Sequence, residues 1–275
     1  MARCFTGWSI ERPQEVGAFV FRPRPHDAGE KLVLGHRIRA GGGESDGHAV
    51  IDILSRHPST ARFVATKLVR RFVSDEPDPA LVARVAATYR ATAGDISAML
   101  RMIVESPEFT SPTAYRAKIK KPSELVVSAA RALGASVDAE TVLALSRASS
   151  RIGEPLYEAQ PPTGYPDTAE AWVNTGALLA RMNFALELTQ NRLGGVRVSL
   201  APLTRGIDVR DPGAVLDRVL NGVLHGQATA ATRDILRRQL DDSEISRATA
   251  DDRVVNPDVE KIVALVLGSP EFQRR

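Results

Sequence analysis

The stretch from Pro161 to Leu188, PPTGYPDTAEAWVNTGALLARMNFALEL, constrains this chain more than any other. It sets a proline-rich turn directly before the longest uninterrupted helical pattern in the sequence. Pro161, Pro162 and Pro166 keep the approach non-helical, because the residue before a proline is pushed out of the α region. Asp167 suits an N-cap, since its carboxylate can accept from the free N–H groups of a first turn, and Glu170 stands where a capping box places it. From Thr168 to about Leu193 only Gly176 interrupts the pattern, and Gly194-Gly195 stops it. Helical spacing puts Trp172, Gly176, Leu179, Asn183 and Leu186 on one face, with Asn174, Ala177, Arg181 and Leu188 roughly opposite. Apolar residues on both faces predict a central helix. Asn183 falls inside an apolar stripe, where an unpaired carboxamide costs about 1–3 kcal/mol. It is therefore expected to have partners, with Asn183 and Arg181 tying the proline turn down through its carbonyls. Gly176 reads as a close helix–helix crossing.

The rest of the chain supplies shorter elements to pack beside that helix. A chain of 275 residues can bury a real core. Aromatic residues make up only 5%, so Leu, Val, Ile and Ala must fill that core. The net charge is +3, and six of the 36 basic residues are lysines. No basic stripe emerges, so nucleic acid is not the expected partner. The single cysteine, Cys4, excludes an internal disulfide and a cysteine-based metal site. No apolar run approaches the length of a membrane span. The opening MARCFTGWSIERP has too short and broken an apolar stretch for a signal peptide, and looks more like a protein interior than a natural start.

Residues 1–56 alone have a β flavour. Ala18–Phe21 and Lys31–Leu34 are short apolar runs flanking the loop RPRPHDAGE, a pattern that predicts a two-stranded ribbon lying on a helical body. Ala40–Gly47 is glycine-rich but lacks the Lys-Ser/Thr ending of a phosphate loop, and is expected to be a flexible linker. Helices begin at Pro58, which suits a first-turn position. Ala61, Val64, Ala65, Leu68, Val69 and Phe72 form an apolar stripe. Asp78-Pro79, Gly94-Asp95, Asp138 and Asp211-Pro212 each open a further helix. Another helix is expected over roughly 228–240 and a last one over 258–268, with the polar linker DDSEISRATADDRVVN between them. The basic segment YRAKIKKP (115–122) reads as a solvated connection.

Two of the helices match without a gap: DISAMLRMIVESPEF (95–109) and DVEKIVALVLGSPEF (258–272). Asp95 pairs with Asp258 as N-cap, the apolar positions coincide, and both end in Ser-Pro-Glu-Phe. Each follows two other helices, which suggests a three-helix unit seen twice. Ser-Pro would end the helix and Phe109 or Phe272 fold back as a plug. The expected architecture is mainly α: a multi-helix bundle with an approximate internal three-helix repeat and a small N-terminal β ribbon, with residues 1–56 packed on a body formed by 57–275.

Chemistry-bearing side chains are few. His26, His36, His48 and His57 cluster in sequence with Asp27, Asp46 and Asp52, but no spacing has the strength of a zinc motif, and no metal site or cofactor is expected. In HDAGEK, His26, Asp27 and Lys31 share a turn. A His–Asp pair can set a tautomer or move a proton, yet adjacent residues rarely face one atom. The plainer reading is an Asx-type turn at Asp27, with Lys31 pairing to it. No serine sits in a nucleophile elbow.

The stretches ARCFTGW (2–8), PHDAGEKLVLG (25–35), HPSTARFVATKLVRRFV (57–73), SPEF (106–109) and PPTGYPDTAEAWVNTGALLARMNFA (161–185) resemble the bacterial family called domain of unknown function 1800. The likeness runs almost from end to end and corresponds to the C-terminal part of the family's usual length. Members are typically longer and many carry an export signal, which implies a shortened form of an exported parent. The resemblance brings motif positions without roles: His26, Asp27, Lys31, His57, Arg62, Tyr165, Asp167, Trp172, Asn174, Arg181 and Asn183. Of these, His26, Asp27, Lys31 and His57 are the candidates for catalysis, and the others for binding. With no nucleophile–base–orienter set, the favoured function is a non-catalytic binding or scaffold module with a protein partner. Its rival is a hydrolase-type enzyme, in which His26, Asp27 and Lys31 meet Asn174 or Arg181 in one cleft. Binding of anions or polysaccharide through arginines is a third reading.

Overall fold

The computed structural model describes residues 1–240 and 258–275, so the polar linker DDSEISRATADDRVVN lies outside the described residues. The protein is mainly α. Its chain divides into two compact units, one of Met1–Phe72 with Glu76–Thr110, the other of Val73–Asp75 with Ser111–Arg275. The β-bearing N-terminal segment thus shares a unit with the first helices, and the division falls near residue 110.

The first unit opens with two antiparallel hairpins rather than one ribbon. Strand β1 (Trp8–Glu11) pairs with β2 (Ala18–Phe21), and β3 (Lys31–Val33) pairs with β4 (His36–Ile38). Both apolar runs are strands, as expected, but they do not pair with each other. Each finds a nearer partner, and for the second the connection is Leu34-Gly35, with φ of 48° and 81°. Positive φ at both central residues is the geometry that tight hairpins favour. Four helices follow: α1 (Ser45–Ser55), α2 (Pro58–Phe72), α3 (Pro79–Ala91) and α4 (Ile96–Val104). Asp78 caps α3 by accepting from Ala80 and Leu81 N–H, and Asp95 caps α4 through Ser97 and Ala98. Ala61, Ala65 and Val69 of the α2 stripe are buried, whereas Phe72 at its end is exposed.

The second unit holds α5 (Pro122–Ala132), α6 (Ala139–Ile152), α7 (Thr175–Thr189), α8 (Ala201–Thr204), α9 (Pro212–Leu224), α10 (Ala230–Leu240), α11 (Val259–Leu267) and α12 (Pro270–Gln273). Its core is built almost wholly of Leu, Val, Ile and Ala, as the aromatic shortage requires. Helix α11 is buried on most of its circumference through Ile262, Val263, Ala264, Val266 and Leu267. Its sequence match α4 buries only Met99 and Ile103. The two share their terminal chemistry. Ser106 Oγ donates to the Ile103 carbonyl and accepts from Phe109 N–H; Ser269 Oγ does the same between Val266 and Phe272. Phe272 is buried behind that turn and Phe109 partly so.

The expected long helix from Thr168 is broken. Ala169–Ala171 form a single 3-10 turn, and α7 begins at Thr175, with the Asn174 side chain accepting from Ala177 N–H at 2.9 Å. Asn174 outcompetes Asp167 as the cap because Asp167 is held elsewhere, by Lys121. Helix α7 ends at Thr189, ahead of the glycine pair, as Asn191 turns left-handed with φ 54°. It packs against α5, α6 and α11, so it is central to its unit. The buried face, however, is the opposite of the one expected: Ala177, Arg181, Phe184, Ala185 and Leu188 are inside, and Leu179 is 63% exposed. Asn183 is exposed as well. Gly176 meets no other helix; the close crossing lies at Gly268, where a Cβ would come 2.4 Å from Met182 Sδ on α7.

Candidate functional site

Two groups of motif residues stand out, one in each unit. In the first unit the centre is Asp46, on the first turn of α1. Its carboxylate forms an ion pair with Lys31 Nζ, and the two side chains are 1% and 2% exposed. His26 Nε2 lies 3.2 Å from the same Asp46 oxygen and 3.5 Å from Lys31 Nζ. His26 Nδ1 is 2.7 Å from the Thr6 carbonyl, which can only accept, so that nitrogen carries a hydrogen. Lys31 also donates to the Asp27 carbonyl. The Thr6 hydroxyl accepts from Asp27 N–H at 2.8 Å and donates to the Arg3 carbonyl at 2.8 Å. Segments 3–6, 26–31 and α1 are thereby joined at one buried knot.

The glycine-rich loop closes around this knot and is not a flexible linker. A Cβ on Gly42 would lie 2.0 Å from Asp46 Oδ1, and one on Gly47 would lie 2.3 Å from the Trp8 ring. The glycines are there because backbone must approach these side chains closely. Trp8 is fixed in turn by edge contacts with Phe5 and Phe19, centroids 5.2 and 5.0 Å away, and by His48 at 5.1 Å.

Lys31 reaches Asp27 only at its carbonyl, and the Asp27 carboxylate has a different partner from the one expected. Arg3 Nε donates to its carboxylate at 2.6 Å, and Gly29 N–H completes the Asx-type turn at 2.9 Å. The Arg3 hydrogen bond, then that of Gly29, holds the Asp27 carboxyl well below the usual carboxylate range. His57 caps α2: its Nδ1 accepts from Ser59 N–H at 3.1 Å. Arg62 is exposed. Among the described residues no three His, Cys, Asp or Glu side chains converge as a metal site.

In the second unit the proline turn is held by lysines. Lys121 Nζ meets the Asp167 carboxylate at 2.6 Å, and Lys118 Nζ donates to the Asp167 carbonyl at 2.6 Å. Lys118, only 4% exposed, also pairs with Asp75, whose other oxygen accepts from Ala169 N–H at 2.7 Å. Tyr165 OH donates to the Pro155 carbonyl at 2.8 Å, and Trp172 Nε1 to the Pro166 carbonyl at 3.2 Å. Their rings meet edge to face at 5.9 Å. The basic segment 115–122 is thus not a solvated connection; three of its cations lie against protein.

Arg181 does not reach the proline turn. Its guanidinium donates to Gln273 Oε1 at 2.6 Å and to the Lys120 carbonyl at 2.8 Å, clamping segment 118–120 to 273–275. Burial pushes its pKa down, with the Glu154 charge opposing. Asn183 joins neither arrangement.

Sequence reasoning placed Asp46 only among the clustered histidines and aspartates, and missed Thr6, Lys118, Lys121 and Asp75 as partners. The usable signal was charge balance. Lys31 directly precedes the run Leu-Val-Leu and Lys118 and Lys120 flank Ile119, and a buried lysine demands a carboxylate.

Fold and motifs together define a mainly helical protein of two compact units, whose signature side chains brace turns against helices. The chain belongs to the family described as Protein of unknown function (DUF1800), whose model matches residues 1–274. No curated protein and no solved structure matches it. Among the described residues no helix is long and apolar enough to cross a membrane.

Proposed function

We propose that this protein is a non-catalytic binding or scaffold module whose motif residues build the frame instead of performing a reaction. The observation that carries this reading is the closure of the Lys31–Asp46–His26 knot. A catalytic acid or base must reach the proton it moves, and the His26, Asp46 and Lys31 side chains are 4%, 1% and 2% exposed. Tyr165 OH, Trp172 Nε1, Asn174 Oδ1 and the two terminal nitrogens of Arg181 are bonded to backbone or neighbouring side chains. Residues that need such fixed partners are what a rigid presenting surface requires.

The test is a panel of chromogenic ester, peptide and glycoside substrates on wild type and His26→Gln. The module reading expects no turnover above buffer from either. Turnover by wild type that disappears in a folded His26→Gln protein would establish the hydrolase reading in its place.

A further inference from the structure

The second unit contains an open groove of about 890 Å³, within the size range of small-molecule sites. It lies where segment 116–120 runs beside 273–275, between one face of α5 and the C-terminal end of α9. Arg116, Lys120, Arg131, Arg274 and Arg275 line it, with Phe272 and Val127 as apolar wall.

Its charges are out of balance. Among the described residues, Glu124 and Glu271 are the carboxylate side chains of the lining, and both are engaged. Glu124 binds Arg275 Nε at 3.0 Å and caps Lys121 N–H at 3.0 Å. Glu271 accepts from Thr229 N–H at 3.0 Å and from Thr232 Oγ1 at 3.1 Å. The side chains of Arg116, Lys120, Arg131 and Arg274 make no hydrogen bond or ion pair with another described residue. Lys120 instead lies over the Phe272 ring, 3.9 Å from its centroid. At the end of α9 the Leu224 carbonyl takes Gln227 N–H at 3.0 Å.

We propose that this groove is a binding site for a small phosphorylated organic molecule. Its oxyanion is drawn by Lys120 and Arg116, and its organic body lies on Val127, which is exposed, beside the Lys120 chain that covers Phe272. This deepens the binding reading above and rests on it. Cationic side chains crowded on a low-dielectric wall repel one another, and an oxyanion with several acceptor atoms relieves that repulsion while satisfying N–H donors. The state of Lys120 agrees. Burial, and then the Arg116 charge, push its pKa down to about 8 against the pull of Glu124, so its ammonium lacks a counter-charge.

The full chain should be titrated calorimetrically with inorganic pyrophosphate and with glucose 1-phosphate, at a fixed ionic strength of about 0.15 M so that diffuse attraction is screened. Saturable binding is expected, weakened about tenfold or more by Lys120→Met and by Arg116→Ala. Arg116→Ala spares the Phe272 contact and serves if Lys120→Met does not fold. Arg90→Ala, which removes the same charge from α3 in the other unit, should leave affinity unchanged. Absence of saturation in wild type, wild-type affinity in the groove variants, or equal weakening by Arg90→Ala would each overturn the assignment. None of these results bears on Lys31 and Asp46, so the groove can fail while the non-catalytic reading stands.

Discussion

Lys31 and Asp46 form an ion pair with neither partner in contact with solvent, and His26 lies against both. A buried pair of this kind is costly to assemble and far more costly to break by half, because the survivor is left charged without a partner. The pair joins the HDAGEK loop to α1, and Thr6 joins that loop to the first residues of the chain.

Gly47→Ala should invert a familiar rule. Alanine in a helix interior is ordinarily favoured over glycine by about 1 kcal/mol. Gly47 lies in α1, yet its new methyl would press on a Trp8 ring already wedged by Phe5, Phe19 and His48. A net loss of about 1–3 kcal/mol is expected from such overpacking. Urea denaturation followed by tryptophan fluorescence measures it; a gain in stability would refute the close contact.

Arg181 and Asn183, two residues apart on α7, should respond in opposite ways. Arg181→Lys removes the fork that spans Gln273 and the Lys120 carbonyl, and should cost about 1–3 kcal/mol. Asn183→Ala, on the exposed side, should stay within about 0.5 kcal/mol of wild type. Thermal melts of the two variants give the comparison directly, and equal losses would contradict the assigned faces.

Lys120 gives the second unit a pH signature. Its folded-state pKa of about 8 lies below the ordinary 10.5 of the unfolded chain. Between those values the unfolded chain keeps a proton that the folded protein has released, so stability should rise with pH across that window. Below about pH 8 both states are protonated and the contribution is flat. Arg116 and Glu124 are the charges that act on Lys120, and Arg131, Arg274, Arg275, His225 and Glu271 line the same groove. Urea midpoints measured from neutral to alkaline pH should climb more steeply in wild type than in Lys120→Met. Parallel profiles would show that Lys120 is solvated.

Locally encoded features were legible in the sequence. The Asp caps at 78, 95, 211 and 258 and the starts at Pro58 and Pro212 are written within one turn of the helices they begin, and the structure has all of them. The long-range partners were not. Lys31 meets Asp46 fifteen positions on, and Lys118 meets Asp75 forty-three positions back, and no periodicity links such pairs. The same gap misled the strand pairing: alternation marks a strand but not its neighbour. At the proline turn two caps competed. Asp167 looked the better one from spacing, but Lys121 and Lys118 hold that residue, and Asn174 starts the helix. With apolar residues on both faces, packing against α5, α6 and α11 decides which is buried, and it takes the Arg181 side. For the candidate site, the motif positions were visible, while the directions of their side chains were not: His26, Lys31, Trp172 and Arg181 turn inward, and Arg62 and Asn183 turn out.

The account rests on the motif being a brace, and a double-mutant cycle on Lys31→Met and Asp46→Asn measures this most directly. Each single change should remove about 3–5 kcal/mol of unfolding free energy, and the double variant much less than their sum, since no unpaired charge then remains. Single variants within about 0.5 kcal/mol of wild type, the range of ordinary surface changes, would contradict it.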